Sequence, residues 1–131
     1  MKGVVTILML FLFLSVPKPG YGESPNRVKI KDKPPGLKRS EIDSDFDGKI
    51  DQWVYYGESG GVFRAEFDTN KDGKINHWEY YDKDGKIEKV EIDSDYDGNI
   101  DQWGYYKDGK LIRNEFDSNF DGKVDRKEIY R

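Results

Sequence analysis

The chain has 131 residues, 37% of them charged, with 26 acidic against 22 basic residues, a net charge of −4 and no cysteine. Without cysteine it has neither a disulfide framework nor lipid attachment through a thiol. An acidic chain repels nucleic acid and attracts divalent cations, so the composition argues against a nucleic-acid partner and for a cation.

Met1-Lys2 precedes an apolar run from Val4 to Leu14, broken only by Thr6, and then come Pro17 and the small-residue sequence Gly20-Tyr21-Gly22. The run is shorter than the about 20 apolar residues of a membrane span, and residues 1–22 read as a secretory signal peptide. The expectation is an exported protein, periplasmic, at the cell surface or secreted, with no membrane span after cleavage. Losing Lys2 and Lys18 leaves 20 basic against 26 acidic residues. Residues 23–40 place Arg27, Lys29, Lys31, Lys33, Lys38 and Arg39 around Pro34-Pro35-Gly36, which reads as a basic, solvated linker.

Residues 41–131 hold 24 acidic against 14 basic residues and one stretch four times over. It runs Glu41-Ile-Asp-Ser-Asp-Phe-Asp-Gly-Lys-Ile-Asp-Gln-Trp53 in the first copy, and the later copies start at Glu66, Glu91 and Glu115. The starts are 25, 25 and 24 residues apart. Side chains at the first, third and fifth places of such a tight loop converge on one hard cation, and the glycine supplies the positive φ of the turn. Oxygen donors without His or Cys favour calcium over zinc or copper.

The core of each copy resembles the calcium loop of EF-hand proteins, D-x-[DN]-x-[DN]-G followed by an aliphatic and then an acidic or amide residue. The tandem array resembles bacterial exported proteins with repeated EF-hand-like loops. The resemblance implies side-chain ligands at places one, three and five, a backbone carbonyl at place seven, and place nine directly or through water. In the first loop these are Asp43, Asp45, Asp47, Lys49 and Asp51, and in the second Asp68, Asn70, Asp72, Lys74 and Asn76. In the third they are Asp93, Asp95, Asp97, Asn99 and Asp101, and in the fourth Asp117, Asn119, Asp121, Lys123 and Asp125. The twelfth place, a bidentate glutamate in the helical family, is here Val54, Glu79, Gly104 and Glu128. Affinity is therefore expected at the weak end, on the order of 10⁻⁴ to 10⁻³ M. Glu41, Glu66, Glu91 and Glu115 are either further ligands or rungs of a charge ladder with Arg64, Lys89 and Arg113.

An EF-hand flanks each loop with helices, and the spacing leaves no room for them. Between Trp53 and Asp68 lie 14 residues, including Gly57, Gly60 and Gly61. The segments are short, alternating and rich in aromatic and β-branched residues, which predicts strands over 37–43, 49–56, 62–67, 74–81, 86–92, 99–106, 110–116 and 123–130. Plain turns such as Asp82-Lys-Asp-Gly85 and Lys107-Asp-Gly109 alternate with the acidic loops. The fold expected is an all-β antiparallel meander of about eight strands from four hairpin repeats, all acidic loops at one end. Alternation suggests one apolar face, with Trp53, Tyr55, Ala65, Phe67, Trp78, Val90, Trp103 and Phe116. The opposite face would be wet, with Gln52, Arg64, Glu66, His77, Glu79, Lys89 and Glu91. A sheet of that kind curls into a barrel or coiled sheet, or covers its face with a partner. The Tyr80-Tyr-Asp-Lys-Asp-Gly85 type of segment also resembles the YD repeats of bacterial surface and toxin shells.

The lone histidine, His77, reads as a surface side chain, and there is no nucleophile elbow, cysteine nucleophile or phosphate-cradling glycine loop. The expectation is a non-enzymatic domain that binds calcium mainly as a structural ligand. The alternative is an adhesion module whose loops are plain turns and whose exposed aromatic residues meet a protein or glycan partner.

Overall fold

A computed structural model describes residues 28–33 and 37–131. The expected leader, residues 1–22, lies outside the described residues, as do 23–27 and 34–36 of the expected linker. The described chain is one antiparallel sheet with strands in sequence order. They are β1 (Val28–Lys33), β2 (Leu37–Ile42), β3 (Gln52–Tyr56), β4 (Val62–Phe67), β5 (His77–Tyr81), β6 (Ile87–Ile92), β7 (Gln102–Lys107), β8 (Lys110–Phe116) and β9 (Arg126–Ile129). Each strand touches only its sequence neighbours, and β1 does not pair with β9, so the meander is an open single layer among the described residues.

Eight of these strands answer to the eight expected from sequence, and β1 is the addition. It lies in the segment read as a linker and pairs with β2 from Val28 opposite Ile42 to Lys33 opposite Leu37. Strands β3, β5, β7 and β9 begin three residues later than expected, because each acidic loop holds the chain out of the sheet through its ninth place. The plain turns form as the Gly pairs indicated. Asp108 and Gly109, at φ 52° and 76°, make a two-residue hairpin, and Asp82 accepts the N–H groups of Asp84 and Lys86 in a five-residue turn. The shorter hairpin accounts for the 24-residue spacing of the last repeat.

The register corrects the expectation of one apolar and one wet face. Residues opposite each other share a face, and Trp53 stands between Glu41 and Glu66, not opposite another aromatic residue. The row continues through Trp78, Glu91, Trp103 and Glu115 to Lys127. Beside it on the same face runs Arg39, Tyr55, Arg64, Tyr80, Lys89, Tyr105 and Arg113. Period-two alternation was right within each strand, but the loops set the offset between strands so that aromatic residues alternate with charges.

The two rows bind each other. Arg64 lies 5.9 and 5.5 Å from the Tyr55 and Tyr80 ring centroids, Lys89 lies 5.7 and 5.9 Å from Tyr80 and Tyr105, and Arg113 lies 4.0 Å from Tyr105. The same cations pair with Glu66, Glu91 and Glu115, and the Tyr55 and Tyr80 hydroxyls donate to Glu66 and Glu91 at 2.7 and 2.8 Å. The glutamates before the loops are thus ladder rungs.

The other face carries Val54, Ala65 and Val90, the buried apolar residues among those described. They share a row with Ser40, Glu79, Gly104 and Asn114. The second tyrosine of each pair turns back over this row. Tyr56 accepts from Ser40 at 3.3 Å, Tyr81 donates to Glu79, and a Cβ on Gly104 would come within 3.3 Å of the Tyr106 ring. His77 is half-buried here, edge-on to Phe67 at 5.2 Å and 3.3 Å from Glu79, so it is packed and not simply a surface side chain.

Two expectations follow. Val90→Ala removes two buried methyl groups and should cost about 2 kcal/mol in chemical denaturation. Glu115, paired with Lys127, and Glu79, where burial is outweighed by the Tyr81 hydrogen bond and the nearby His77 ring, sit below the ordinary glutamate range. Burial and then the Glu66, Glu91 and Glu79 bonds hold Tyr55, Tyr80 and Tyr81 above the ordinary tyrosine range. The glutamate contribution is in place above the ordinary glutamate range and is lost as pH falls through the depressed values. The tyrosine contribution is in place below the ordinary tyrosine range and is lost as pH rises through the raised values. Thermal midpoints should therefore plateau near neutrality and fall on both sides.

Candidate metal centre

Each acidic loop is built by the same set of internal hydrogen bonds, so the four copies can be compared place by place. The first-place carboxylate accepts the N–H of the sixth-place glycine. The distances are 2.8 Å for Asp43–Gly48, 2.7 Å for Asp68–Gly73, 2.8 Å for Asp93–Gly98 and 2.7 Å for Asp117–Gly122. The fifth-place Asp47, Asp72, Asp97 and Asp121 accept the N–H groups of Lys49, Lys74, Asn99 and Lys123 at 2.7–2.9 Å. Asp45, Asn70, Asp95 and Asn119 accept more weakly from the fifth-place N–H.

The loop is closed by a contact that sequence reasoning did not find. The ninth-place oxygen of Asp51, Asn76, Asp101 and Asp125 accepts the N–H of Ser44, Thr69, Ser94 and Ser118. In the first three loops it also accepts the second-place hydroxyl. The signal was present as a hydroxyl residue at the second place of every copy. A second feature is the positive φ at the fourth place, 67° at Phe46, 61° at Lys71, 65° at Tyr96 and 60° at Phe120, ahead of the glycines at 91°, 93°, 97° and 85°.

The copies differ where it matters for a cation. Ligand atoms of Asp43, Asp45 and Asp47 lie within 4.8 Å of one another in the first loop, and those of Asp93, Asp95 and Asp101 do so in the third. Asn70 and Asn119 take the third place in the others, and no such three-carboxylate cluster forms there among the described residues. Asp43, Asp68 and Asp117 use both carboxylate oxygens on backbone N–H groups. Asp93 uses one. It is 3% exposed, and its Oδ1 is buried without a hydrogen-bond partner. The carboxylates are also tuned apart. Hydrogen bonding by Lys71 lowers the Asp45 carboxyl, whereas desolvation, with the charges of Asp97 and Asp101, raises Asp95. A groove beside the third loop is lined by Asp97, Asn99, Asp101, Asp117, Phe120 and Asp121.

The twelfth-place residues leave the loops on strands. Glu79 faces Val90, accepts from Tyr81 and lies 3.3 Å from His77, and Glu128 accepts from Tyr130 at 2.7 Å. Neither turns back toward a loop.

The sequence matches the EF hand family at residues 65–80 and 114–131, which contain the second and fourth loops. Both matched copies carry the twelfth-place glutamate, the feature that strand geometry makes idle here. No curated protein matches the chain. Among solved structures the fold is similar to part of the glycosylation-associated protein (Gap123) complex from Streptococcus agalactiae, at 18% identity and a TM-score of 0.53, covering 81% of this chain and 19% of that one. A structure of accessory secretory proteins 1, 2 and 3 from Streptococcus pneumoniae is similar at 17% identity and a TM-score of 0.36, covering 83% and 18%. The chain thus spans about a fifth of the length of the chains it matches, and the likeness to the Streptococcus agalactiae complex is one of fold.

The loop bonds give a direct expectation. Ser94→Ala removes the hydroxyl from Asp101 and should lower stability by about 1 kcal/mol. Gly98→Ala, at φ 97°, should cost about 1–2 kcal/mol through backbone strain. Urea denaturation of each variant checks both.

Proposed function

We propose that the protein is an exported, non-enzymatic calcium-binding repeat domain in which calcium acts as a structural ligand. The observation that carries the proposal is the third loop, where Asp93, whose Oδ1 is buried and unpartnered, offers a carboxylate oxygen within 4.8 Å of ligand atoms from Asp95 and Asp101. Burying a carboxylate oxygen without a partner is costly, and a hard cation supplied by solvent removes that cost. The donors are all oxygen, the set that suits calcium, and the match to the EF hand family supports the same ion. Bound calcium supplies positive charge that offsets the mutual repulsion of the clustered carboxylates.

The third loop is the strongest site on this reading. One first-place oxygen is unpartnered, and desolvation with the neighbouring Asp97 and Asp101 charges raises its third-place carboxyl, so it gains most from a cation. The second loop, with Asp68 and Asp72 as its only carboxylates in the first nine places, is the weakest. Export is supported by the leader-like composition of residues 1–22, and the non-enzymatic reading by the absence of a nucleophile–base arrangement in the sequence.

The test is thermal unfolding in chelator, in millimolar magnesium and in millimolar calcium. Calcium should raise the midpoint and magnesium should substitute poorly, since magnesium demands near-octahedral geometry and gives up water reluctantly. A ligand at 100 times its dissociation constant stabilises the folded state by about 2.7 kcal/mol per independent site. Asp93→Asn should remove the largest share of the calcium effect. If the three midpoints coincide, the loops are plain turns, and a partner-binding module using the Trp and Tyr rows becomes the better reading.

A further inference from the structure

We propose that Lys71 is a built-in counter-ion for the first loop, so that calcium enters that loop only by displacing the ammonium of its neighbour. The inference rests on the calcium reading of the loops and concerns which of them is open to the ion. The loops stand side by side, because the first-place N–H of each donates to the ninth-place carbonyl of the one before. Asp68 N–H reaches the Asp51 carbonyl at 2.9 Å, Asp93 reaches Asn76 at 2.9 Å and Asp117 reaches Asp101 at 2.8 Å. The fourth-place side chain of one loop is thereby carried toward the carboxylates of the preceding loop.

In the second loop that residue is Lys71, and its Nζ pairs with Asp45 and lies 4.0 Å from Asp51. Asp45 belongs to the Asp43, Asp45 and Asp47 cluster. Asp51, 7% exposed at its side chain, is the ninth-place residue of the same loop. One ammonium therefore sits between two of the carboxylates that a cation would use. At the same place the third and fourth loops carry Tyr96 and Phe120, which bring no charge to the loops before them. Phe120 lines the groove with Asp97 and Asp101, and there the buried Asp93 oxygen keeps no partner. The contrast is internal to the molecule. The first and third loops carry the same four carboxylates, yet one is neutralised from within and the other is not.

An ammonium has one charge where calcium has two, and its stem is partly exposed, so the ion pair is an adjustable barrier and not a permanent plug. Removing it should strengthen calcium binding at the first loop by a factor of up to about five, the upper end for a partly exposed ion pair. The experiment compares the exported chain with Lys71→Met, Lys71→Arg and Lys71→Met/Asp45→Asn by calcium titration calorimetry, and by thermal unfolding in chelator. The inference expects Lys71→Met to tighten one binding event. Lys71→Arg should stay near the parent, and the gain should vanish in the double variant. In chelator Lys71→Met should unfold earlier than the parent, because Asp45 and Asp51 lose their counter-ion. A parent that binds calcium with an isotherm unchanged by Lys71→Met would overturn the proposal. If neither protein binds calcium, the calcium reading fails separately. The chelator midpoint then decides the counter-ion role alone, a lower midpoint in Lys71→Met sustaining it and an unchanged one ending it.

Discussion

Everything in this sheet depends on how the acidic loops close. A ninth-place oxygen that accepts the second-place N–H, and in three loops its hydroxyl, fixes the distance between the strands on either side. The backbone then resumes pairing at one defined residue, with the ninth-place N–H donating to the last carbonyl of the incoming strand, as Asp51 does to Ile42 at 3.0 Å. A slip of one residue would turn every side chain to the opposite face. Loop closure is therefore what sets tryptophan against glutamate and tyrosine against arginine or lysine across the whole width of the sheet.

That alternation holds the described strands together as one layer. With Val54, Ala65 and Val90 as the buried apolar residues among those described, there is little core in the usual sense. The aromatic rings are covered instead by the stems and charged heads of neighbouring cations, and those cations are neutralised by glutamates two residues further along the same strand. Each such contact is worth little alone, about 0.5–1 kcal/mol at an exposed site. The repeats lay them side by side, so that every inner rung is shared by two neighbours. On the other face the second tyrosine of each pair folds back over small residues, which makes Gly104 and Ala65 fitting occupants of that row.

The sequence exposed the repeats, the acidic loops and the strand character of the intervening segments, because each is written in spacing and in residue type within one short window. The facial arrangement was not legible. Alternation shows which residues of one strand share a face, but the offset between strands depends on a loop closure that involves Ser44 and Asp51, seven residues apart and unremarkable as a pair. β1 was missed for a related reason. Its Lys-rich stretch beside Pro34-Pro35-Gly36 has the composition of a solvated linker, and only pairing with Leu37–Ile42 makes it a strand. Of the candidate ligands, the first, third and fifth places could be named from the motif alone. The inequality of the four loops could not, because it arises from which oxygens the backbone has already taken.

That inequality is the physical core of the site. A loop whose first-place carboxylate has both oxygens on its own N–H groups, as at Asp68 and Asp117, has on the calcium reading less to gain from an ion. A loop that leaves a buried oxygen unpartnered, as at Asp93, carries a standing cost that a cation removes. The ninth-place oxygen accepts the second-place N–H in all four loops and the second-place hydroxyl in the first three, so the loops share one closure that is fuller in the first three. On the calcium reading proposed above, the loops are then ordered chiefly by their charges. Places one, three, five and nine carry four carboxylates in the first and third loops, but only two and three in the second and fourth. Position along the sheet adds a second ordering, since the fourth loop lies at the open edge, where Asp125 is exposed and screening by solvent is strongest. Near-identical copies of one motif are in this way graded by their neighbours, and the strand geometry that discards the twelfth-place glutamate is what gives those neighbours the deciding role.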